Sequence, residues 1–209
     1  KLDLKIGILN QAIGLFSSGM WFLLLLSLGI SSALAYFEKY KWLALPVFIW
    51  LLIFTVQFRT VNIPQLIDPT TGEYILGPDL DPYLYLRLAK DINSGNLTNL
   101  DCIRYAPICS NNYAKSNLMP WVIVGIYKIV SLFQDISLTY AAIITSVILF
   151  SISIIGFFLF TKTIFSFKTD KVKSSLIALI ASIFYAVSPS MLHRTTGGIP
   201  EIESLGLAF

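Results

Sequence analysis

From Ile6 to Phe37 the chain runs without a single charged residue. A run of that length has no polar face to turn toward water. It belongs in hydrocarbon, where about 20 apolar residues cross as one helix with every backbone group satisfied internally. The composition agrees, because 56% of the 209 residues are hydrophobic and 13% are charged, about half the charge of a soluble domain. A soluble enzyme domain and a disordered tail are both excluded. The net charge of +3 is too small and too scattered for a nucleic-acid binder. The fold class that follows is an all-α polytopic membrane protein.

The first span is expected around Trp21-Phe-Leu-Leu-Leu-Leu-Ser27, with a lead-in before it. Glu38-Lys-Tyr-Lys41 ends the run, and Trp42 to Phe58 reads as the next span, aromatic at both ends. Ile136 to Thr161 and Ser174 to Leu192 are two more, joined by a basic loop with Lys168, Lys171 and Lys173. Met119 to Phe133 is apolar but too short to cross, and is expected to lie at the interface or re-enter. Basic residues in short loops stay cytoplasmic. The expectation is a multi-pass cell-membrane protein with the 38–41 and 166–173 loops inside, and with residues 59–135 and those after Leu192 on the exterior. Four segments result: transmembrane segments over 1–58, a long external loop with short helices over 59–135, two transmembrane helices over 136–192, and a second external segment over 193–209. The chain starts at Lys1 and stops at Phe209 within an apolar stretch, and is expected to be part of a longer protein.

The external segments carry the chemistry. Cys102 and Cys109 are close in sequence, and an oxidising exterior permits either a disulfide or two free thiols. Asn96-Leu-Thr98 fits the glycosylation acceptor pattern, a match that chance alone supplies in a chain with this many Asn. His193 is the only histidine, so zinc ligation lacks donors. Gly77-Pro-Asp-Leu-Asp-Pro-Tyr-Leu-Tyr-Leu-Arg87 reads as a helix start with Asp81 as cap and Pro82 in the first turn. His193-Arg-Thr-Thr-Gly-Gly-Ile-Pro-Glu-Ile-Glu203 reads as another, with acids after Pro200. Taken singly, each acid group is more readily a cap than a site. Taken together, they put Asp81, Glu201 and Glu203 on one aqueous face, where they are expected to converge on a hard divalent cation, Mg²⁺ or Mn²⁺. Arg87 and Arg194 are candidates for receiving substrate phosphate oxygens.

At these residues the chain resembles the catalytic subunit of archaeal-type oligosaccharyltransferases. Asp81-Pro-Tyr-Leu-Tyr-Leu-Arg87 is similar to the Asp-Pro-aromatic…Arg element of that family's first external loop. Arg194-Thr-Thr-Gly-Gly-Ile-Pro-Glu-Ile-Glu203 is similar to its second acidic motif, and Arg104-Tyr-Ala-Pro107 to an aromatic-Pro element between them. The resemblance covers residues 55 to 209. It implies the N-terminal part of a C-type glycosyltransferase fold. It implies an inverting, metal-dependent enzyme that moves an oligosaccharide from a dolichyl phosphate or diphosphate to Asn of an Asn-X-Ser/Thr polypeptide. The implied metal ligands are Asp81, Glu201 and Glu203, with Asp81 and Glu203 catalytic. The implied partners are the lipid-linked sugar, the acceptor polypeptide and membrane lipid, with no nucleic acid.

There are departures from the family. Most members have Asp where Glu201 stands and one span before the first external loop, where this chain has two apolar segments. The family's later acidic loop motif and its Trp-Trp-Asp domain have no counterpart in these residues, so residues 1–209 alone are expected to be inactive. Rival readings are another C-type transferase (protein O-mannosyl or lipid-sugar), a transporter, or a non-catalytic membrane protein. The Gly-Gly-Ile-Pro-Glu-Ile-Glu segment disfavours the first. A transporter should carry charges within its spans, whereas these acids sit in loops.

Overall fold

A computed structural model of the chain describes residues 19–35, 42, 44–103 and 106–208. The lead-in before residue 19, Lys39 and Lys41 of the expected basic loop, and Arg104 and Tyr105 of the aromatic-Pro element lie outside the described residues. Eight helices appear among those described. They are α1 (Gly19–Ala35), α2 (Leu45–Thr60), α3 (Leu80–Asn93), α4 (Met119–Val130), α5 (Leu138–Ser166), α6 (Lys171–Val187), α7 (Pro189–Thr195) and α8 (Ile202–Ala208). A two-residue antiparallel ladder pairs β1 (Leu100–Asp101) with β2 (Ser110–Asn111). Single 3₁₀ turns follow α2 and precede α4.

Two helices are long and apolar enough to cross a membrane: the run Leu45–Gln65, which begins with α2, and α5; the bent pair α6–α7 makes a third if counted as one span. The expected span from Ser174 to Leu192 is thus interrupted. Pro189 lacks the N–H that would continue the helical ladder and disfavours helical geometry at Ser188, so α6 stops at Val187 and α7 starts afresh. At 12 residues α4 is about 18 Å long, short of the roughly 30 Å hydrocarbon core.

The chain divides into two compact units, residues 1–55 with 154–186, and residues 56–153 with 187–209. In the first unit the buried side of α6 is a stripe of small residues at four-residue intervals, Ser174, Ala178, Ser182 and Ala186, a pattern that lets helix backbones approach closely. Phe48 stacks on Phe158 with ring centroids 4.2 Å apart, and Phe157 on Tyr185 at 4.6 Å. The Trp50 indole N–H donates to the Met20 carbonyl at 3.1 Å.

In the second unit α3 lays Tyr85, Leu86 and Ala89 against Met119, Ile123 and Val124 of α4. Ala142, Ile143 and Leu149 of α5 and Leu205 of α8 complete this core. Helix α4 is packed on one side only, with Trp121 and Ile129 left exposed.

Candidate functional site

The second acidic segment is held in place by its backbone. Five hydrogen bonds fix residues 196–198. Gly197 N–H donates to the Arg59 carbonyl (2.8 Å), Gly198 N–H to the Ile143 carbonyl (3.0 Å), and the Asn62 side-chain amide to the Gly197 carbonyl (2.8 Å). The Ser146 hydroxyl donates to the Thr196 carbonyl (3.0 Å), and Gly77 N–H to the Gly198 carbonyl (2.9 Å). The last bond ties the lead-in of the first acidic segment to the second. Only glycine suits residue 198: its φ is +92°, and a Cβ there would collide with Leu66 Cδ1.

Arg59 anchors the same region, although in the sequence it merely closes an apolar helix. It is fully buried. Its Nε donates to Thr195 Oγ1 at 2.8 Å, and its guanidinium lies 3.7 Å from the Phe150 ring centroid, a cation–π contact.

The acids fall differently from the expectation. Helix α3 begins at Leu80 with Asp79 as its cap residue, so Asp81 is an exposed first-turn residue and not the cap. Pro82 fits because any first-turn position lacks an intrahelical N–H partner. Helix α8 likewise begins at Ile202, after Pro200 and Glu201. Glu201 is buried, and its Oε2 accepts from Arg194 Nη1 at 2.5 Å; Glu203, half exposed, has Oε1 3.9 Å from the same nitrogen. Burial pushes the Glu201 carboxyl above its usual range, partly offset by the bond and charge of Arg194. The charges of Glu203 and Asp79 push it further up. The acid of the first segment that Glu201 feels is therefore Asp79.

The three acids to which the resemblance assigns a divalent cation are not gathered in this arrangement. Among the described residues no three His, Cys, Asp or Glu side chains gather to hold a metal ion. Asp81 is exposed in the first turn of α3, while Glu201 pairs with Arg194 and Glu203 stands beside the same guanidinium.

The phosphate candidates are also engaged. Arg87 grips Asp101 through two nitrogens, Nη1 to Oδ1 at 3.2 Å and Nη2 to Oδ2. Asp101 is buried and also accepts from Ile103 N–H at 3.0 Å, so this pair clamps the β1 strand to α3. Arg194 keeps nearly half its side chain exposed. Cys102 and Cys109 are joined in a disulfide. Asn96 is exposed just after α3, while the Thr98 hydroxyl is committed to the Leu100 carbonyl at 2.6 Å. His193 lies exposed in the last turn of α7.

With this geometry the class is an α-helical chain with two or three helices able to span a membrane. Compared with known protein families, curated proteins and solved structures, the chain matches none.

Proposed function

We propose that this chain forms the first part of an oligosaccharyltransferase that moves a sugar chain from a dolichyl phosphate or diphosphate carrier to the Asn of an Asn-X-Ser/Thr polypeptide. The observation that carries the reading is the Gly77–Gly198 backbone bond. It joins the two acid-bearing segments within one unit, where a chance pair of capped helix starts has no reason to meet.

In this proposal the acceptor amide nitrogen attacks the anomeric carbon. The bond from that carbon to the carrier phosphate oxygen breaks, and the phosphate leaves with the electron pair, inverting the carbon. An amide nitrogen is a weak nucleophile, so exposed carboxylates, Asp81 and Glu203, hold the amide and take its proton. Arg194 offers its exposed edge to the departing phosphate. Buried Glu201 orients that guanidinium.

The test is transfer from a dolichyl-linked oligosaccharide to a fluorescent Asn-X-Thr peptide by the full-length protein. Asp81→Asn and Glu203→Gln are each expected to lower transfer about a hundredfold or more. Near-parent transfer in both, or transfer to Ser or Thr hydroxyls instead of Asn, sinks the proposal.

A further inference from the structure

Helix α5 has 29 residues, about 43 Å of helix, and so exceeds the roughly 30 Å hydrocarbon core. Its only charged residue, Lys162, lies in the last turn and a half. That marks the C-terminal end of α5 as the part that reaches the headgroup zone, where lysine carries its ammonium on an apolar stem.

There a cavity of about 340 Å³ opens between α5 and the first turns of α6. Lys162, Thr163 and Ser166 line it from α5, and Lys171, Ser174 and Ser175 from α6. Neither Lys162 nor Lys171 forms an ion pair with a described carboxylate; the one acid of the turn, Asp170, lies 3.5 Å from Lys173 and is exposed. The four hydroxyls now donate to helix carbonyls, Thr163 to Leu159 (2.8 Å), Ser166 to Thr163 (2.7 Å), and Ser174 and Ser175 to Lys171 (3.1 and 2.8 Å). Such bonds are second bonds to carbonyls already used by the helix, and a hydroxyl gives them up readily to a better acceptor. An apolar cavity of about 100 Å³ shares Lys162 and Ser175 with the first and is lined by Trp42, Leu45, Phe48 and Phe158.

We propose that these two cavities form a binding site for an anionic phospholipid. The phosphate sits between Lys162 and Lys171 among the hydroxyls, and an acyl chain enters along Phe48 and Phe158. Basic pockets between membrane helices take phosphate headgroups in this way. The apolar annex selects a lipid over free phosphate.

Calorimetric titration of the chain in neutral detergent micelles tests this with three probes: dioctanoyl phosphatidic acid, dioctanoyl phosphatidylcholine and inorganic phosphate. Phosphatidic acid is expected to bind saturably. Lys162→Gln with Lys171→Gln is expected to weaken it by roughly fivefold per lysine, about twenty-fivefold for the pair. Lys162→Arg with Lys171→Arg, which keeps both charges, is expected to stay within about threefold of the parent. Unchanged affinity in the double Gln variant overturns the site. So does equal binding of phosphatidylcholine, and inorganic phosphate binding as tightly as the lipid overturns the assignment to a lipid.

Discussion

Two arginine–carboxylate pairs lie in the same unit and do opposite things with the same chemistry. In Arg87–Asp101 the contact is two-pronged, the acid has a further N–H donor, and the arginine is largely covered. Every lone pair that matters is met, and the pair acts as a clamp. In Arg194–Glu201 the contact is through one nitrogen, the arginine is half exposed, and a second acid stands at 3.9 Å. Here negative charge exceeds positive: Glu203 and Asp79 both bear on Glu201. The first pair is closed and structural. The second has an open side, where Arg194 stays half exposed between two carboxylates.

The contrast is broken most severely at the closed pair. Arg87→Ala takes the guanidinium from buried Asp101, and removing one partner of a buried pair costs about 3–5 kcal/mol. The expected result is a large drop in the thermal midpoint in detergent, followed by circular dichroism, with Arg87→Lys recovering only part of it because the ammonium cannot grip both oxygens. A loss below about 1 kcal/mol, as for a surface pair, removes the distinction between the two. Next in size is Gly198→Ala. It forces a Cβ into Leu66 at a left-handed φ, a combined strain of about 2–4 kcal/mol. It should also loosen the Gly77 bond, read as faster amide exchange at Gly77. Unaltered exchange there means the two acidic segments are held together by something else.

How much of this was legible beforehand follows from which interactions are local. The runs that became α2 and α5 were readable as candidate spans because nearly charge-free stretches have only one solvent to choose, while α1 and α4 are shorter apolar helices. The break before α7 is present in the sequence as Ser188-Pro189, but hydropathy alone does not register a missing N–H. The cap of α3 was misplaced by two residues because Asp79 and Asp81 both precede a first-turn position that tolerates Pro82. Arg59 was illegible: its partner Thr195 is 136 residues away, and no local pattern encodes that meeting. The arginines and acids of the candidate site were found by type and neighbourhood. Their pairing depends on side-chain direction and burial, which decided that Glu201 meets Arg194 and that Asp81 meets solvent.

The smallest expected effect is also the one that probes the open pair most directly. Burial holds the folded Glu201 pKa above its unfolded value, so the folded state binds that proton more tightly than the unfolded chain does. The sign follows by linkage: this group's contribution is most favourable at low pH and is lost as pH rises through the carboxylate range toward the raised folded pKa. Arg194 opposes the loss by pairing with the ionised form. Arg194→Ala should therefore lower the thermal midpoint little near pH 4, where the raised Glu201 carboxyl retains its proton, and more near pH 7, where the ionised carboxylate loses its guanidinium. Glu201→Gln should flatten the dependence in either background. Thermal midpoints of the parent and the three variants between pH 4 and 8 give the comparison directly. If Arg194→Ala costs as much at pH 4 as at pH 7, the guanidinium is held by packing instead of by the Glu201 charge. The second pair would then be as closed as the first.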